Sequence, residues 1–423
     1  MKRDRLVLLI LVFAVVSCGI GIINAAIPNN TLRNNWLVIT GVNVTGSYQI
    51  DGNDIITGAG IADFVSVDAD QYTLATVNKT DLFAYPQQEY SYLIWRDGAT
   101  YYAKNGTSGL VTSNGNFTTL FQSAIDKCDD YVQSLIFLKA GYYDTTGEIQ
   151  AKGRITIRGE NIESTTIRAS GAFAGKMINW SPTGSEFFLQ IEDIKLHGMS
   201  IASHCLYVSR DNGGAPSDLL LSKVFMLSSN TIGFYDNAPW GAKIDRCLFE
   251  FHNGIGLYIS GNAQWTVSNC FIAYNEGSYG FQIGSSLSGQ VIGNTIYMND
   301  LHGLLLTGTP NSIIISNNYF QDNGYVGVGD HIWLDSGAKN CTIIGNIFKD
   351  TGSYVRYGLN IDGDNQLVIA NRFVNITNPI DISVGSTGNI INRNFGYTGT
   401  GDTRLNGVNM EMWNSTAWIV LGP

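Results

Sequence analysis

The chain has 423 residues, and only 14% of them are Asp, Glu, Lys or Arg, with a formal net charge of −10. This acidic balance argues against a nucleic-acid partner, because neutralising phosphates requires clustered Lys and Arg. A hydrophobic content of 44%, with 21 Tyr and 19 Phe, argues against disorder. Gly (48 copies) and Asn (39 copies) are both in excess, so the fold needs a structural use for each.

The N-terminus has the pattern of an export signal. A short basic stretch precedes an apolar run over residues 6–16, and small residues follow at positions 25 and 26. We therefore predict that residues 1–26 are a secretory signal peptide. Two alternatives remain open, which are lipidation at Cys18 and an uncleaved membrane anchor over residues 6–23. All three predict a secreted or cell-surface protein that meets a membrane only through this segment.

Nine Asn-x-Ser/Thr sequons would permit N-glycosylation, although the number is only slightly above chance. They lie at Asn29, Asn43, Asn78, Asn105, Asn116, Asn179, Asn340, Asn375 and Asn414.

A strand-like run with a break in its middle recurs along the second half of the chain. The central residues of the copies are Lys223, Arg246, Asn269, Asn294, Asn317, Asn346, Asn371 and Arg393. They are 22 to 29 residues apart. A period in the low twenties predicts stacked units that bury a core only against their neighbours. Leucine-rich repeats share this period, but their dense Leu pattern and helix are missing here.

Each unit contains three short strand-like pieces, which predicts three parallel sheets around one elongated core. Successive units, or rungs, would lie about 4.8 Å apart. We interpret the break as a corner at which a small residue allows positive φ. The following Asn would hydrogen-bond to Asn residues in the rungs above and below. A second polar column is predicted to be the next corner, at His252, Asn275, Asp300 and Asn323.

With these features the chain resembles the right-handed parallel β-helix proteins of the pectate-lyase-like superfamily, over roughly residues 117–396. The segment FTTLFQSAIDKC (117–128) followed by SLIFLKAGYYD (134–144) looks like the helix and first strand that open many such proteins. The resemblance implies that the helix caps the N-terminal end of the coil. Its predicted apolar face comprises Phe117, Leu120, Phe121, Ala124 and Ile125. The sequence departs from the usual opening at Lys139–Ala140–Gly141, where a Pro commonly precedes the Gly.

We therefore expect an all-β fold, a right-handed parallel β-helix over residues 116–396. A small β-rich region is predicted over 27–115, where strand formers alternate with Gly and Asp turns. Residues 397–423 are predicted to cap the C-terminal end, because an uncapped coil would expose strand edges.

One predicted sheet presents an outward column of rings and amides, which would suit sugars with their apolar faces and hydroxyl edges. The column is Tyr207, Tyr235, Tyr258, Gln282, Leu305, Trp333, Asn360 and Asp381. One column earlier stand Tyr279, His302, Asp330 and Tyr357. Ordinary packing between exposed aromatic residues of neighbouring rungs is the alternative interpretation.

His302 and Asp330 are predicted to be nearest neighbours, with His331 and Arg356 beside them. An Asp raises the pKa of a neighbouring His and orients its ring, which suits general acid or base catalysis. The alternative is a polar corner that satisfies its own backbone groups.

Asp335 would stack over Asp362, and Asp364 follows closely. Clustered carboxylates suit Ca²⁺, although Asp and Gly are also ordinary turn residues. The six Cys residues include no C-x-x-C pair. Cys247 and Cys270 occupy the same repeat position on adjacent rungs, so either a disulfide or a stack of thiols is possible there.

The signatures of the superfamily's polygalacturonate hydrolases and its Ca²⁺-assisted pectate lyases are not recognisable. Leu301–His302–Gly303 matches only part of one hydrolase signature, Gly-His-Gly. We expect an exported protein that acts on or binds an extracellular polysaccharide. An enzyme of the lyase, hydrolase or epimerase type and a non-catalytic surface or adhesive protein both remain open. A viral tailspike is a weaker alternative, and the oligomeric state is not predicted.

Overall fold

A computed structural model describes residues 90–396, apart from positions 239, 262 and 328. For short strands before residue 90 and after residue 396, it describes the backbone only. The chain divides into two compact units, Met1–Gln87 and Gln88–Pro423. Within the described residues no helix combines the length and apolar character that a membrane span requires. The predicted signal peptide lies outside the described residues.

The first unit contains three pairs of short antiparallel strands. They are Thr31–Arg33 with Trp36–Val38, Asn43–Val44 with Gly60–Ile61, and Tyr48–Ile50 with Asn53–Ile56.

The boundary predicted at residue 115 lies inside the second unit, which begins at Gln88. Tyr92–Asp97 pairs in parallel with Ser134–Leu138, the first strand of the coil. Thr100–Asn105 and Val111–Asn114 continue this sheet in antiparallel order. Residues 92–114 therefore extend a coil sheet through backbone hydrogen bonds.

Three rows of parallel strands run along the second unit, and we call them faces 1, 2 and 3. Face 1 comprises Ser134–Leu138, Ile155–Gly159, the first halves of Ser185–His197 and Ala215–Leu227, Trp240–Asp245, Thr266–Ser268, Gln290–Ile292, Ile314–Ser316, Thr342–Ile344, Leu367–Ile369 and Ile390–Asn392. Face 2 comprises Gly141–Thr145, Thr165–Ala169, the second halves of the same two long strands, Leu248–Glu250, Phe271–Ala273, Thr295–Tyr297, Tyr319–Gln321, Ile347–Lys349 and Arg372–Val374. Face 3 comprises Ile149–Gln150, Lys176–Trp180, His204–Val208, Ile232–Asp236, Ile255–Ile259, Phe281–Ile283, Leu304–Leu306, Ile332–Leu334, Leu359–Ile361 and Ile380–Ile382. The result is the predicted parallel β-helix.

The helix α1, Phe117–Asp126, packs against the first strands of the coil. Asn116 caps its N-terminus by accepting a hydrogen bond from the Thr119 amide at 3.1 Å. The five residues of the predicted apolar face are all buried, and the Phe117 ring contacts Tyr143 of face 2 at 5.1 Å between centroids. Burial of this apolar face fixes the helix on the coil.

From the third rung onward, a residue with positive φ stands at each turn from face 1 to face 2, as the corner interpretation predicted. These residues are Asp193, Lys223, Arg246, Asn269, Gly293, Asn317, Gly345, Ala370 and Arg393, with φ from 53° to 67°. Most of them carry side chains, which makes this conformation costly. The strain is tolerated because the stacked rungs on both sides fix the backbone.

The repeat alignment needs a correction of one residue. Val267 pairs with Val291 and Phe271 with Thr295, so Asn269 is level with Gly293, not with Asn294. The predicted Asn column therefore mixed the exposed positive-φ residues with the buried residues that follow them. Asn occurs at both positions in Asn317–Asn318, so the pattern of Asn alone could not separate the two columns.

The buried column forms a continuous amide ladder. Its members are Asn294, Asn318, Asn346, Asn371 and Asn394. The Oδ1 atom of Asn318 accepts hydrogen bonds from both the backbone N–H and the side-chain amide of Asn294, at 2.9 and 3.0 Å. Its Nδ2 donates to the Val291 carbonyl at 2.8 Å and to Asn346 Oδ1 at 2.9 Å. Each amide thus satisfies backbone groups that the corner removes from the sheet ladder.

A second ladder lies at the turn from face 2 to face 3. Its members are His252, Asn275, Asn299 and Asn323. Asn299 is fully buried and takes the position that the sequence analysis gave to Asp300, whose carboxylate instead accepts the Gly277 N–H. The ladder ends at His331, whose Nδ1 faces Asn323 Nδ2 at 3.2 Å.

Cys247 and Cys270 are stacked, unbonded thiols directly before the first ladder. Both are buried, and the Cys247 amide donates to the sulfur of Cys270. This arrangement matches the thiol-stack alternative.

Residues 397–423 contain three antiparallel strands, Thr403–Asn406, Asn409–Trp413 and Trp418–Val420. Their predicted capping role stays a prediction, because the side chains lie outside the described residues.

Replacing one ladder residue should destabilise the protein far more than replacing its exposed neighbour. Asn318→Ala leaves the Asn294 amide and the Val291 carbonyl without partners in a dry interior, which should cost about 2–4 kcal/mol. Asn317→Gly keeps the positive φ that Asn317 adopts and removes only an exposed side chain, so we expect a change of about 0.5 kcal/mol or less. Urea unfolding followed by circular dichroism measures both, and equal losses would contradict the ladder's role.

Acid should weaken the fold through His252. Burial lowers the pKa of His252 to about 3, below its usual value of 6.5. Below pH 6.5 the unfolded chain gains a proton that the folded chain does not, so stability falls as the pH drops from 6.5 toward 3. The contribution at pH 5 is about 2 kcal/mol. His252→Asn, which continues the ladder without titrating, should reduce the loss of unfolding free energy between pH 7 and pH 5 by that amount. An unchanged loss would exclude His252 as the cause.

Candidate functional site: the outer surface of face 3

The outer surface of face 3 carries three columns of side chains, which we call A, B and C. Column A is Lys176, His204, Ile232, Ile255, Tyr279, His302, Asp330, Tyr357 and Asn378. Column B is Asn179, Tyr207, Tyr235, Tyr258, Gln282, Leu305, Trp333, Asn360 and Asp381. Column C is Ser209, Asn237, Ser260, Gly284, Thr307, Asp335, Asp362 and Ser383. The predicted register of columns A and B is confirmed.

Three tyrosines form a stack in the N-terminal half of column B. The rings of Tyr207 and Tyr235 are 4.6 Å apart at 8°, and those of Tyr235 and Tyr258 are 5.1 Å apart at 24°. Because in-register strands place the rings face to face, the ring faces cover one another. The free face of Tyr207 is covered by Lys176, whose Nζ lies 3.4 Å from the ring centroid. The stack therefore offers mainly ring edges and hydroxyl groups to a ligand.

Polar and charged residues that the sequence analysis missed surround this stack. Lys176 and His204 stand in column A, on rungs before those that we had examined for polar residues. Arg210 and Asp211 follow the strand of Tyr207, and the Tyr207 hydroxyl donates to the Asp211 carboxylate. Extending the sequence alignment of column A to its first rung would have identified Lys176. Arg210 and Asp211 lie in a loop outside the repeat, so the repeat pattern could not have identified them.

Trp333 forms the centre of the C-terminal half. Its indole N–H donates to Asp362 Oδ2 at 2.8 Å, and its ring lies 5.0 Å from that of His302. The Ser383 hydroxyl donates to the other oxygen of Asp362. Trp333 is partly exposed, so its orientation is fixed while one part of the ring remains accessible.

His302 is held as a neutral imidazole. Its Nδ1 accepts the backbone N–H of Asp330 at 2.9 Å, which places the ring proton on Nε2. Its ring stacks on Tyr279 at 5.4 Å and 19°. Burial lowers the pKa of His302, and this effect exceeds the opposing attraction of the Asp330 carboxylate, 3.5 Å away. His302 can donate a hydrogen bond from Nε2, but neither nitrogen is free to accept a proton.

Asp330 is a buried ion-pair partner. Its side chain is fully buried and binds the Arg356 guanidinium through both oxygens, at 3.0 and 2.6 Å. The amide of Tyr357 and the side chain of Asn360 donate to it as well, both at 3.2 Å. This carboxylate is committed to four donors, so the predicted acid–base couple of His302 and Asp330 loses its geometric basis. Asn360 is buried with it, which removes Asn360 from the predicted sugar-binding column.

His331 lies inside the coil and not at the surface of the site. Its Nε2 donates to the Lys349 carbonyl at 3.0 Å, and its side chain is fully buried. Burial lowers its pKa to about 3. The strand alternation that turns Asp330 outward turns His331 inward, so its predicted catalytic role is wrong.

The three carboxylates predicted to bind Ca²⁺ do not form one cluster. Asp335 and Asp362 are adjacent in column C, as predicted, but Asp364 lies past the strand end and accepts the Thr387 N–H at 2.8 Å. Across the described part of the chain, no group of three or more His, Cys, Asp or Glu residues could hold a metal ion. Asp335 and Asp362 instead accept hydrogen bonds from hydroxyl groups and the Trp333 indole.

Residues 178–374 match the family described as "Right handed beta helix region". The matched segment has the fold of a right-handed parallel β-helix, in agreement with the strand order of the three faces. No protein of curated function matches the sequence.

Solved β-helix structures resemble this one at low identity. Tailspike protein 2 of the Escherichia coli O157:H7 bacteriophage CAB120 has a TM-score of 0.53 and 17% identity, over 69% of this chain and 42% of its own. The enzymatically active domain of bacteriophage CBA120 tailspike protein 2 also has a TM-score of 0.53, with 16% identity over 64% of this chain and 44% of its own. The A-module of the Azotobacter vinelandii mannuronan C-5 epimerase AlgE6 has a TM-score of 0.48 and 14% identity, over 65% of this chain and 95% of its own. At these identities the likeness shows the fold alone.

The ion pair in the β-helix should behave as a structural element. Arg356→Met leaves the Asp330 carboxylate buried without its cation, which should cost roughly 2–4 kcal/mol, a value reduced from that of a fully buried pair because Arg356 is partly exposed. Adding Asp330→Asn removes the uncompensated charge, so the double variant should recover part of the loss. Urea unfolding at pH 7 measures both variants. A double variant less stable than Arg356→Met would contradict this account.

Proposed function

We propose that the protein binds a polysaccharide along the outer surface of face 3. The single observation that carries the proposal is column B, which lines up partly exposed Tyr, Gln and Trp side chains along one parallel sheet, with the buried Leu305 between Gln282 and Trp333. Hydroxyl, amide and indole groups at regular spacing can hydrogen-bond to a chain of sugar hydroxyls. The rigid sheet holds these groups in place before a ligand arrives, which lowers the entropic cost of binding.

Binding is better supported than catalysis by the polar residues of column A. His302 keeps its Nδ1 on a backbone amide, and Asp330 is fully buried against Arg356. Neither group can exchange a proton with a bound sugar in this arrangement. The proposal therefore assigns His302 the role of a hydrogen-bond donor through Nε2.

The charge of the surface favours a polymer with a largely uncharged backbone. Of the side chains that reach the outer surface, Lys176, Arg210 and Arg356 are cationic. Five are anionic, namely Glu148, Asp211, Asp335, Asp362 and Asp381. The positive charge of Arg356 is offset by Asp330 beneath it. A uniformly anionic polymer would be repelled by this surplus of carboxylates and by the net charge of −10.

The export pattern of residues 1–26 supports an extracellular ligand. A non-catalytic surface protein fits best with an Asp330 carboxylate bound to Arg356 and a neutral His302 imidazole.

Glycan binding should depend on face 3 and not on other exposed aromatic residues. Tyr235→Ala and Trp333→Ala each remove a ligand-facing ring, so we expect at least about tenfold weaker binding to any glycan that the wild type retains on an array. Tyr274→Ala is the matched control, because its ring is 36% exposed at the turn after face 2. Circular dichroism verifies that each variant is folded.

The array carries neutral and acidic polysaccharides, and product analysis after incubation detects cleavage. An array on which the wild type binds nothing would refute the proposal and favour an inert scaffold. Equal losses for Tyr274→Ala and Tyr235→Ala would place binding elsewhere.

A further inference from the structure

The outer surface of face 3 is electrically polarised along the coil. Lys176 and Arg210 lie at the N-terminal rungs, while Asp335, Asp362 and Asp381 lie at the C-terminal rungs. The strands of Lys176 and Asp381 are eight rungs apart in the sheet order, which is roughly 38 Å at 4.8 Å per rung. This separation exceeds the screening length of about 8 Å at physiological salt, so each end acts on a ligand separately.

The two cations flank the tyrosine stack without an ion-pair partner. Neither Lys176 nor Arg210 forms a salt bridge with any described residue. Lys176 lies over the face of Tyr207, and the Arg210 guanidinium lies beside Gly261. Lys176 therefore lies at the Tyr207 end of the stack, and the Arg210 guanidinium lies beside the loop that follows the strand of Tyr258.

Two carboxylates reach the surface in this region, and both are already engaged. Glu148, on the rung before Lys176, accepts the Asn179 side-chain amide at 2.6 Å. Asp211 accepts the Tyr207 hydroxyl, and the attraction of that hydrogen bond comes first among the causes that lower the Asp211 pKa. Asp236, on the neighbouring rung, has a fully buried side chain and so lies beneath the surface. Both carboxylates are occupied by hydrogen bonds from neutral side chains, whereas Lys176 and Arg210 form no salt bridge with a described residue.

We propose that Lys176 and Arg210 form a subsite for an anionic substituent of the glycan, with the tyrosine hydroxyls holding the sugar that carries it. The inference rests on the proposed function and deepens it. The ligand is then a largely neutral polysaccharide that carries isolated acidic groups, and it lies along face 3 in one direction. An acidic group at the other end would meet Asp335, Asp362 and Asp381, which repel it.

The test compares two small probes that differ only in one acidic group, methyl glucuronide and methyl glucoside. Titration followed by ligand-observed NMR gives the affinity of each for the wild type. We expect the glucuronide to bind at least tenfold more tightly and to weaken as sodium chloride is raised from 0.05 to 0.5 M. The salt dependence follows because partly exposed charges are screened.

Two substitutions remove the cations and keep the stack. Lys176→Met retains an apolar stem over Tyr207, and Arg210→Gln retains a polar side chain. The double variant should bind the two probes within about twofold of each other. Lys243→Met, an exposed cation on face 1, is the control and should leave the preference unchanged.

A wild type that binds both probes equally, or neither, overturns the inference. So does a loss of preference in Lys243→Met equal to that in the double variant. The glycan array with Tyr235→Ala measures polymer binding separately. The proposed function can therefore be supported even if the two probes show no preference.

Discussion

The hydrogen bonds of the buried corner amides hold the rest of the structure in register. A coil of three-residue strands has to turn three times per rung, and each turn takes backbone groups out of the sheet ladder. In this protein Asn294, Asn318 and the amides after them supply the missing partners from the rungs above and below. Because each amide spans two rungs, the position of one rung fixes the position of the next.

That constraint produces the flat outer surface of face 3. In-register stacking places like positions about 4.8 Å apart, so side chains of one column meet as neighbours. Tyr207, Tyr235 and Tyr258 stack for this reason, and so do Tyr279 and His302. The same geometry hides the ring faces, so the stack presents ring edges and hydroxyl groups outward. Function on this surface depends on which groups the columns leave unpaired.

The two halves of face 3 leave different groups unpaired. In the C-terminal half, Asp330 is ion-paired with Arg356, and His302 Nδ1 accepts a hydrogen bond from the Asp330 backbone amide. In the N-terminal half, Lys176 and Arg210 keep their charge available beside the tyrosine hydroxyls. A ligand that lies along the coil would therefore contact Lys176 and Arg210 at the N-terminal end and carboxylates at the C-terminal end. The two ends of the repeat thus differ in charge.

The sequence by itself determined the period, the parallel β-helix, the buried face of α1 and the registers of columns A and B. These follow from local alternation and spacing, which strand geometry translates directly into inside and outside. Only the tertiary structure decided which Asn residues form the ladder, since Asn269 and Asn294 look alike in sequence but differ by one residue in register. It also decided that His331 faces inward and that the nearest partner of His302 is the Asp330 amide instead of its carboxylate. Those outcomes depend on burial and on competition between donors in three dimensions, and a linear pattern contains neither.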